Sequence, residues 1–289
     1  MDETTKYFRY AQPFPRYGWL ALLLCLFAWI SSWLHIEPFG RYMFFPLWLG
    51  YILFMDALVF VRHGTSLLTR MRWRFSLLFV ASSFFWWLFE VLNIPVGNWH
   101  YILDQPYSPW LYAVLASLNF STVLPAVFET TEFLFTFKLL RPRLSPYEPG
   151  PRLSIPAFLG LEVLGLFCFV LPWIFPRYCF GLIWLSLIFL LDPLNNVLGR
   201  KSALAHLMVR DWHFFIVPLG ALFCGFFWEM WNYFSLPKWY YTIPYVGFLK
   251  VFEMPLLGYL GYLPFALELF ALYQFVLWTT GQKEDFLII

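Results

Sequence analysis

Apolar residues run along this chain in eight stretches, near 17–34, 43–61, 75–92, 110–137, 155–175, 178–197, 213–234 and 254–279, and the short segments between them collect most of the charged residues and prolines. A bilayer core of roughly 30 Å takes about 20 apolar residues as a helix. The pattern therefore predicts an all-α integral membrane protein with eight transmembrane helices. The first stretch follows Lys6, Arg9 and Arg16 with no small-x-small cleavage site after it, so it is expected to stay as a span. The segment from Tyr245 to Phe252, with Lys250 inside it and Glu253 beside it, is expected at the interface rather than across it.

The pattern also repeats. Arg177, Trp184 and Asp192 follow Arg41, Trp48 and Asp56 by 136 positions each, and Glu268 follows Glu129 by 139. Trp99-x-Tyr101 is matched by Trp239-x-Tyr241, and Phe84-Phe85-Trp86 by Phe226-Phe227-Trp228. The chain thus divides into a first four-helix repeat over 1–140, a Pro-rich linker over 141–151 and a second four-helix repeat over 152–289. Four spans is an even number, so the two copies enter the membrane in the same direction, related by an axis along the bilayer normal. Aligning the copies on the Phe-Phe-Trp triplet sets Glu90 opposite Asn232 and Glu229 opposite Trp87, which predicts a carboxylate displaced by three positions, close to the same helix face.

Composition sharpens this. Of 289 residues 61% are hydrophobic, 24% aromatic and 12% charged, too little polar surface for a water-exposed protein. The net charge of +2 suggests no nucleic-acid partner. Only Arg41, Arg177, Lys238 and Lys250, out of 19 Lys and Arg, fall on one side of the predicted spans, and the positive-inside rule makes the other side cytoplasmic. Both termini are then cytoplasmic, in a membrane expected to be a bacterial inner membrane. Cys25, Cys168, Cys179 and Cys224 sit in apolar runs without CxxC spacing and the five His lack HxxH or HxxxH spacing, so no metal site and no cofactor is expected. The aromatic residues of 93–109 and 235–253 fit an interfacial belt.

Against this background the acids stand out. Asp56, Glu90, Glu129, Glu132, Glu162, Asp192, Glu229, Glu253 and Glu268 lie within or at the ends of predicted spans. An ionised group in hydrocarbon costs several kcal/mol, about 3 or more, so each is expected to be neutral or paired. Asp56 and Asp192, followed by Arg62 and Arg200, fit helix-end or salt-bridge roles. Glu129 and Glu268 each come four residues after a proline, which could free a carbonyl for them. Glu90 and Glu229 have no base on their own helix and lie among rings, the setting for a functional acid.

A carboxylic acid held neutral by an apolar pocket can protonate an alkene, an epoxide or an enol ether, and ring faces can shelter the resulting cation. Candidate catalytic residues are Glu229 as proton donor, Glu90 as second acid or base, Asn232 as its orienting hydrogen-bond partner, and Glu129 and Glu268. Candidate substrate-binding residues are Trp86, Trp228, Trp231, Tyr233, Trp99, Tyr101, Trp239 and Tyr241.

The arrangement Trp86-x-x-Phe89-Glu90, Gly97-Asn98-Trp99-His100-Tyr101 and Pro125-x-x-x-Glu129 resembles the integral-membrane lycopene cyclase domains. Trp228-Glu229-x-x-x-Tyr233 with Pro237 is similar to the small membrane terpene cyclases. The resemblance implies proton-initiated cyclisation of a polyprenyl chain without metal or redox cofactor. This chain departs from the lycopene cyclase pattern in having four spans per copy rather than three, and Phe128-Glu129 in place of a doubled Glu. The expected function is a metal-free, membrane-embedded acid–base enzyme, a cyclase, isomerase or hydratase, with a membrane lipid or isoprenoid as its partner. The alternatives are a lipid-binding accessory subunit with a membrane-protein partner, and a transporter of lipids or amphiphiles.

Overall fold

The structure is a computed structural model that describes residues 12–137, 140, 152–208, 215–282 and 285–287. The linker expected over 141–151 lies outside the described residues. The chain is helical and buries its rings centrally while leaving apolar side chains outside. Trp48, Phe89, Phe128 and Phe270 are fully buried, whereas the first helix, α1 (Arg16–Trp33), exposes Trp19, Leu20, Leu23, Phe27 and Ile30. An exposed apolar surface of this extent belongs against lipid.

Among the described residues seven helical segments are long and apolar enough to cross a membrane. They are α1; α2 (Phe44–His63); the run Leu67–Val96, made of α3 (Leu67–Met71) and α4 (Phe75–Val96); Pro109–Phe135, made of α5 (Pro109–Phe120) and α6 (Val123–Phe135); α7 (Ile155–Ile174); Pro176–Val197, made of α8 (Pro176–Cys179) and α9 (Ile183–Val197); and Leu256–Thr279, which ends in α12 (Tyr262–Thr279). The remaining predicted stretch, 213–234, does fold as a helix over its described part, α11 (Ile216–Tyr233), after the short α10 (Ala203–Met208). It falls short of the seven because its last turns carry Trp228, Glu229, Trp231, Asn232 and Tyr233, residues that prefer an interface to hydrocarbon.

Local chemistry sets the helix ends. Gly64 takes φ 83° to close α2, and the Ser66 and Thr69 side chains form a capping box that opens α3. The break between α5 and α6 is bridged from a neighbouring helix, where Ser82 Oγ donates to the Phe120 carbonyl at 2.7 Å and accepts the Leu124 N–H at 3.0 Å. In a membrane such a break needs an internal partner of this kind.

α1 lies along α2 and α7 along α9; α2 packs on α6 and α9 on α12; α11 joins the halves by packing on both α6 and α12. Gly50 of α2 and Gly220 of α11 allow two of these approaches: a Cβ would lie 2.7 Å from the Cys25 N of α1 at the first and 2.2 Å from Thr131 Oγ1 of α6 at the second. At one end of the bundle the connections after α4 and α11 pair as an antiparallel ribbon of β1 (Trp99–Ile102) and β2 (Lys238–Tyr241), in register Trp99↔Tyr241, His100↔Tyr240 and Tyr101↔Trp239. Gly97, at φ 56°, turns the chain from α4 into β1. The segment 245–252, predicted to be interfacial, leads into the two-residue strands β3 (Lys250–Val251) and β4 (Met254–Pro255).

Candidate functional site

Side chains alternate across a strand, so Trp99, Tyr101, Trp239 and Tyr241 share one face of the ribbon. Each strand turns its Trp and its Tyr to the acid of the helix that precedes it. Glu90 Oε1 accepts from Trp86 Nε1 at 2.9 Å, Trp99 Nε1 at 3.0 Å and the Tyr101 hydroxyl at 2.6 Å. Glu229 Oε1 accepts from Trp239 Nε1 at 3.4 Å, the Tyr241 hydroxyl at 2.6 Å and the Tyr262 hydroxyl at 3.0 Å. Burial first, and the facing carboxyl second, push the Tyr101 and Tyr241 phenols well above the usual range, so both keep their protons.

Asparagines three residues beyond the acids hold the ribbon in place. Asn93 Oδ1 accepts the Asn98 N–H at 2.7 Å, and its Nδ2 donates to the Trp99 carbonyl at 2.9 Å. Asn232 does the same for Trp239, accepting its N–H at 2.9 Å and donating to its carbonyl at 2.8 Å. Asn232 therefore does not orient an acid directly, as expected from the sequence; its amide matches a strand N–H and C=O and so fixes the Trp239 ring.

These bonds also correct the alignment expected from the Phe-Phe-Trp triplets. Glu229 and Asn232 follow Glu90 and Asn93 by 139 positions each and bond the matching strand residues, so the carboxylate has not moved by three positions; the third donor differs, Trp86 for Glu90 and Tyr262 for Glu229. The Phe-Phe-Trp match misleads because one ring replaces another along these helices, while hydrogen-bond geometry admits one alignment.

Between the ribbon and the bundle lies a cavity of about 190 Å³. Its wall includes Trp86, Trp99, Tyr101, Trp228, Trp231, Trp239, Tyr241 and Tyr262, drawn from both halves, together with Phe44, Phe120 and Phe265. Most predicted binding rings therefore meet at one place. Tyr233 does not: it is exposed and packs on Phe234 and Phe252. Glu90 and Glu229 are not on the wall either, since their ring donors stand between them and the cavity. The second oxygen of Glu229 is buried without a hydrogen-bond partner among the described residues.

The other acids divide by role. Asp192 caps α10, accepting from Ser202 Oγ at 2.5 Å, the Ala203 N–H at 2.8 Å and the Leu204 N–H at 2.9 Å. Asp56 accepts the Leu68 N–H of α3 at 2.9 Å and the Tyr17 hydroxyl at 2.5 Å. The helix-end role thus holds for both, but Arg62 and Arg200 bond Thr136 and Gln274 instead. Glu268 Oε1 accepts the Leu187 N–H of α9 at 2.9 Å. The freed-carbonyl role fails because Pro125 and Pro264 sit in the first turns of α6 and α12, where no intrahelical N–H is needed. Glu129 is fully buried beside Asp56, and Glu132 pairs with Arg70. These acids are not on the cavity wall.

Residues not singled out from the sequence complete the site: Asn93, Asn98 and Tyr262. The pairs Glu90-x-x-Asn93 and Glu229-x-x-Asn232 were a usable signal for the first, hidden by the shifted alignment. Tyr262 has no counterpart pattern that would have found it. No protein-family profile, no curated protein and no solved structure matches this chain.

Proposed function

We propose that this protein is a metal-free, membrane-embedded acid–base enzyme, a cyclase, isomerase or hydratase, acting on an isoprenoid or other long lipid in the ribbon-end cavity. One observation carries the reading: the Tyr241 hydroxyl, on the wall of an otherwise largely apolar cavity, donates to Glu229 Oε1 at 2.6 Å. Tyr241 Oη also accepts from Trp239 Nε1 at 2.9 Å. A substrate O–H meeting Tyr241 Oη could give up its proton there as Tyr241 passes its own to Glu229; run in reverse, a neutral Glu229 returns a proton through Tyr241 to a substrate oxygen. Tyr241 is then the catalytic residue and Glu229 the proton store behind it. Glu90 with Tyr101 repeats the device on the other strand. The likeness of the Trp-Glu and Trp-x-Tyr segments to membrane lycopene and terpene cyclases agrees with this substrate class.

The same reading includes α11 as an eighth span and the two halves, 1–140 and 152–289, as same-direction repeats about an axis through the ribbon. Support comes from bonds repeated at an offset of 139 on the helices and 140 on the strands, and from the two-fold register of β1 with β2. The ribbon end then faces outward and the Arg-rich end faces the cytoplasm of a bacterial inner membrane.

A second reading, a lipid-binding accessory subunit, is favoured by the position of the acids behind the rings, where they serve equally as clamps. Turnover separates the two. In membranes containing the protein and an isoprenoid pool, Glu229→Gln and Tyr241→Phe are each expected to cut lipid conversion by on the order of 10²-fold or more while the protein stays folded. Conversion at the original rate in both variants would leave only the accessory reading.

A further inference from the structure

Both basic residues on the cavity wall are already neutralised. Arg41 pairs with Glu37 at 2.6 Å and Asp104 at 3.0 Å, and Lys238 pairs with Glu253. An anionic head would meet cations whose charge is spent, next to carboxylates that repel it. Two other wall residues are in the opposite condition. Asn98 is 2% exposed and Trp231 5% exposed, and neither the Asn98 Oδ1 acceptor nor the Trp231 Nε1 donor has a hydrogen-bond partner among the described residues. Buried polar atoms are ordinarily paired, so these two mark what the cavity lacks when empty. A hydrocarbon would leave both unpaired. An ammonium head could satisfy only the acceptor, and a phosphate monoester would bring charge the wall does not balance.

We propose that the ligand of this cavity is an uncharged amphiphile, an apolar chain whose head carries a hydroxyl, which can both donate to Asn98 and accept from Trp231. This rests on the cavity being a long-lipid site, and it adds the head chemistry: a neutral alcohol, neither a pure hydrocarbon nor a prenyl phosphate.

The test is equilibrium binding to the full-length protein in phosphatidylcholine nanodiscs, read by tryptophan fluorescence. The probes are a long-chain isoprenoid alcohol, the hydrocarbon of the same chain and its monophosphate ester. The alcohol is expected to bind about tenfold tighter than the other two. Asn98→Leu and Trp231→Phe, which remove the hydrogen-bonding group and leave an apolar side chain, should each erase most of the ratio of alcohol to hydrocarbon affinity, whatever the change in hydrocarbon affinity itself. Circular dichroism checks that each variant is folded, and either folded variant suffices. Equal affinity for hydrocarbon and alcohol, tightest binding of the phosphate, or an unchanged preference in the folded variants would each overturn the assignment. Failure of all three probes to bind would remove the lipid site itself. An alcohol preference together with full turnover in Glu229→Gln would remove the enzyme and keep the head chemistry.

Discussion

Tyr107 illustrates how this end of the molecule confines its charges to the rim. Its hydroxyl donates to Asp104 Oδ1 at 2.6 Å, on the carboxylate that also pairs with Arg41. Burial, and then the bond to Asp104, push the phenol from 10.0 up to about 12. Because the folded value is raised, the contribution of Tyr107 is complete below pH 10 and is lost as pH rises through about 12. Titration followed by NMR of ring-labelled tyrosine should give this midpoint, and Asp104→Asn should move it down toward 10; an unchanged midpoint would mean that Asp104 contributes nothing. At this scale Glu90 and Glu229 were legible in the sequence, because an acid among rings is unusual in any span. The partners were not. Asn98 and Tyr262 look ordinary in their own segments and gain meaning only when distant segments are folded together.

Among the elements, α11 is closely seated on α6. A Cβ at Gly220 would come within 2.2 Å of Thr131 Oγ1 and 3.1 Å of the Thr131 backbone. Gly220→Ala should therefore destabilise the protein by roughly 1–3 kcal/mol. Thr131→Ala in the same chain should recover part of that loss, because it removes the hydroxyl and leaves the backbone contact. Denaturant titration in detergent measures both, and an alanine tolerated at no cost would show that the helices have room to move apart. The helices were readable from their apolar lengths, whereas the ribbon was not. Trp99-x-Tyr101 and Trp239-x-Tyr241 fit an interfacial belt taken singly, and strand pairing over 140 positions leaves no local mark. The acid register was lost for a related reason, since a triplet of rings is a weaker marker than the spacing of Glu90 to Asn93 and of Glu229 to Asn232.

For the whole molecule, two halves meet over one cavity, and the charges fall toward opposite ends. If the Arg-rich end is cytoplasmic, a cysteine at exposed Phe248 should react with a membrane-impermeant thiol label on intact cells, while one at exposed Trp73 should react only after permeabilisation. The opposite pattern would invert the topology. What fills the space under the ribbon can be read from a density map of the protein purified from its own membrane. A bound neutral lipid should appear as elongated density running from Asn98 and Trp231 between the rings of Trp99, Tyr101, Trp239 and Tyr241. A cavity closed by its own side chains, with ordered lipid only on the outer faces of α1 and α7, would contradict it.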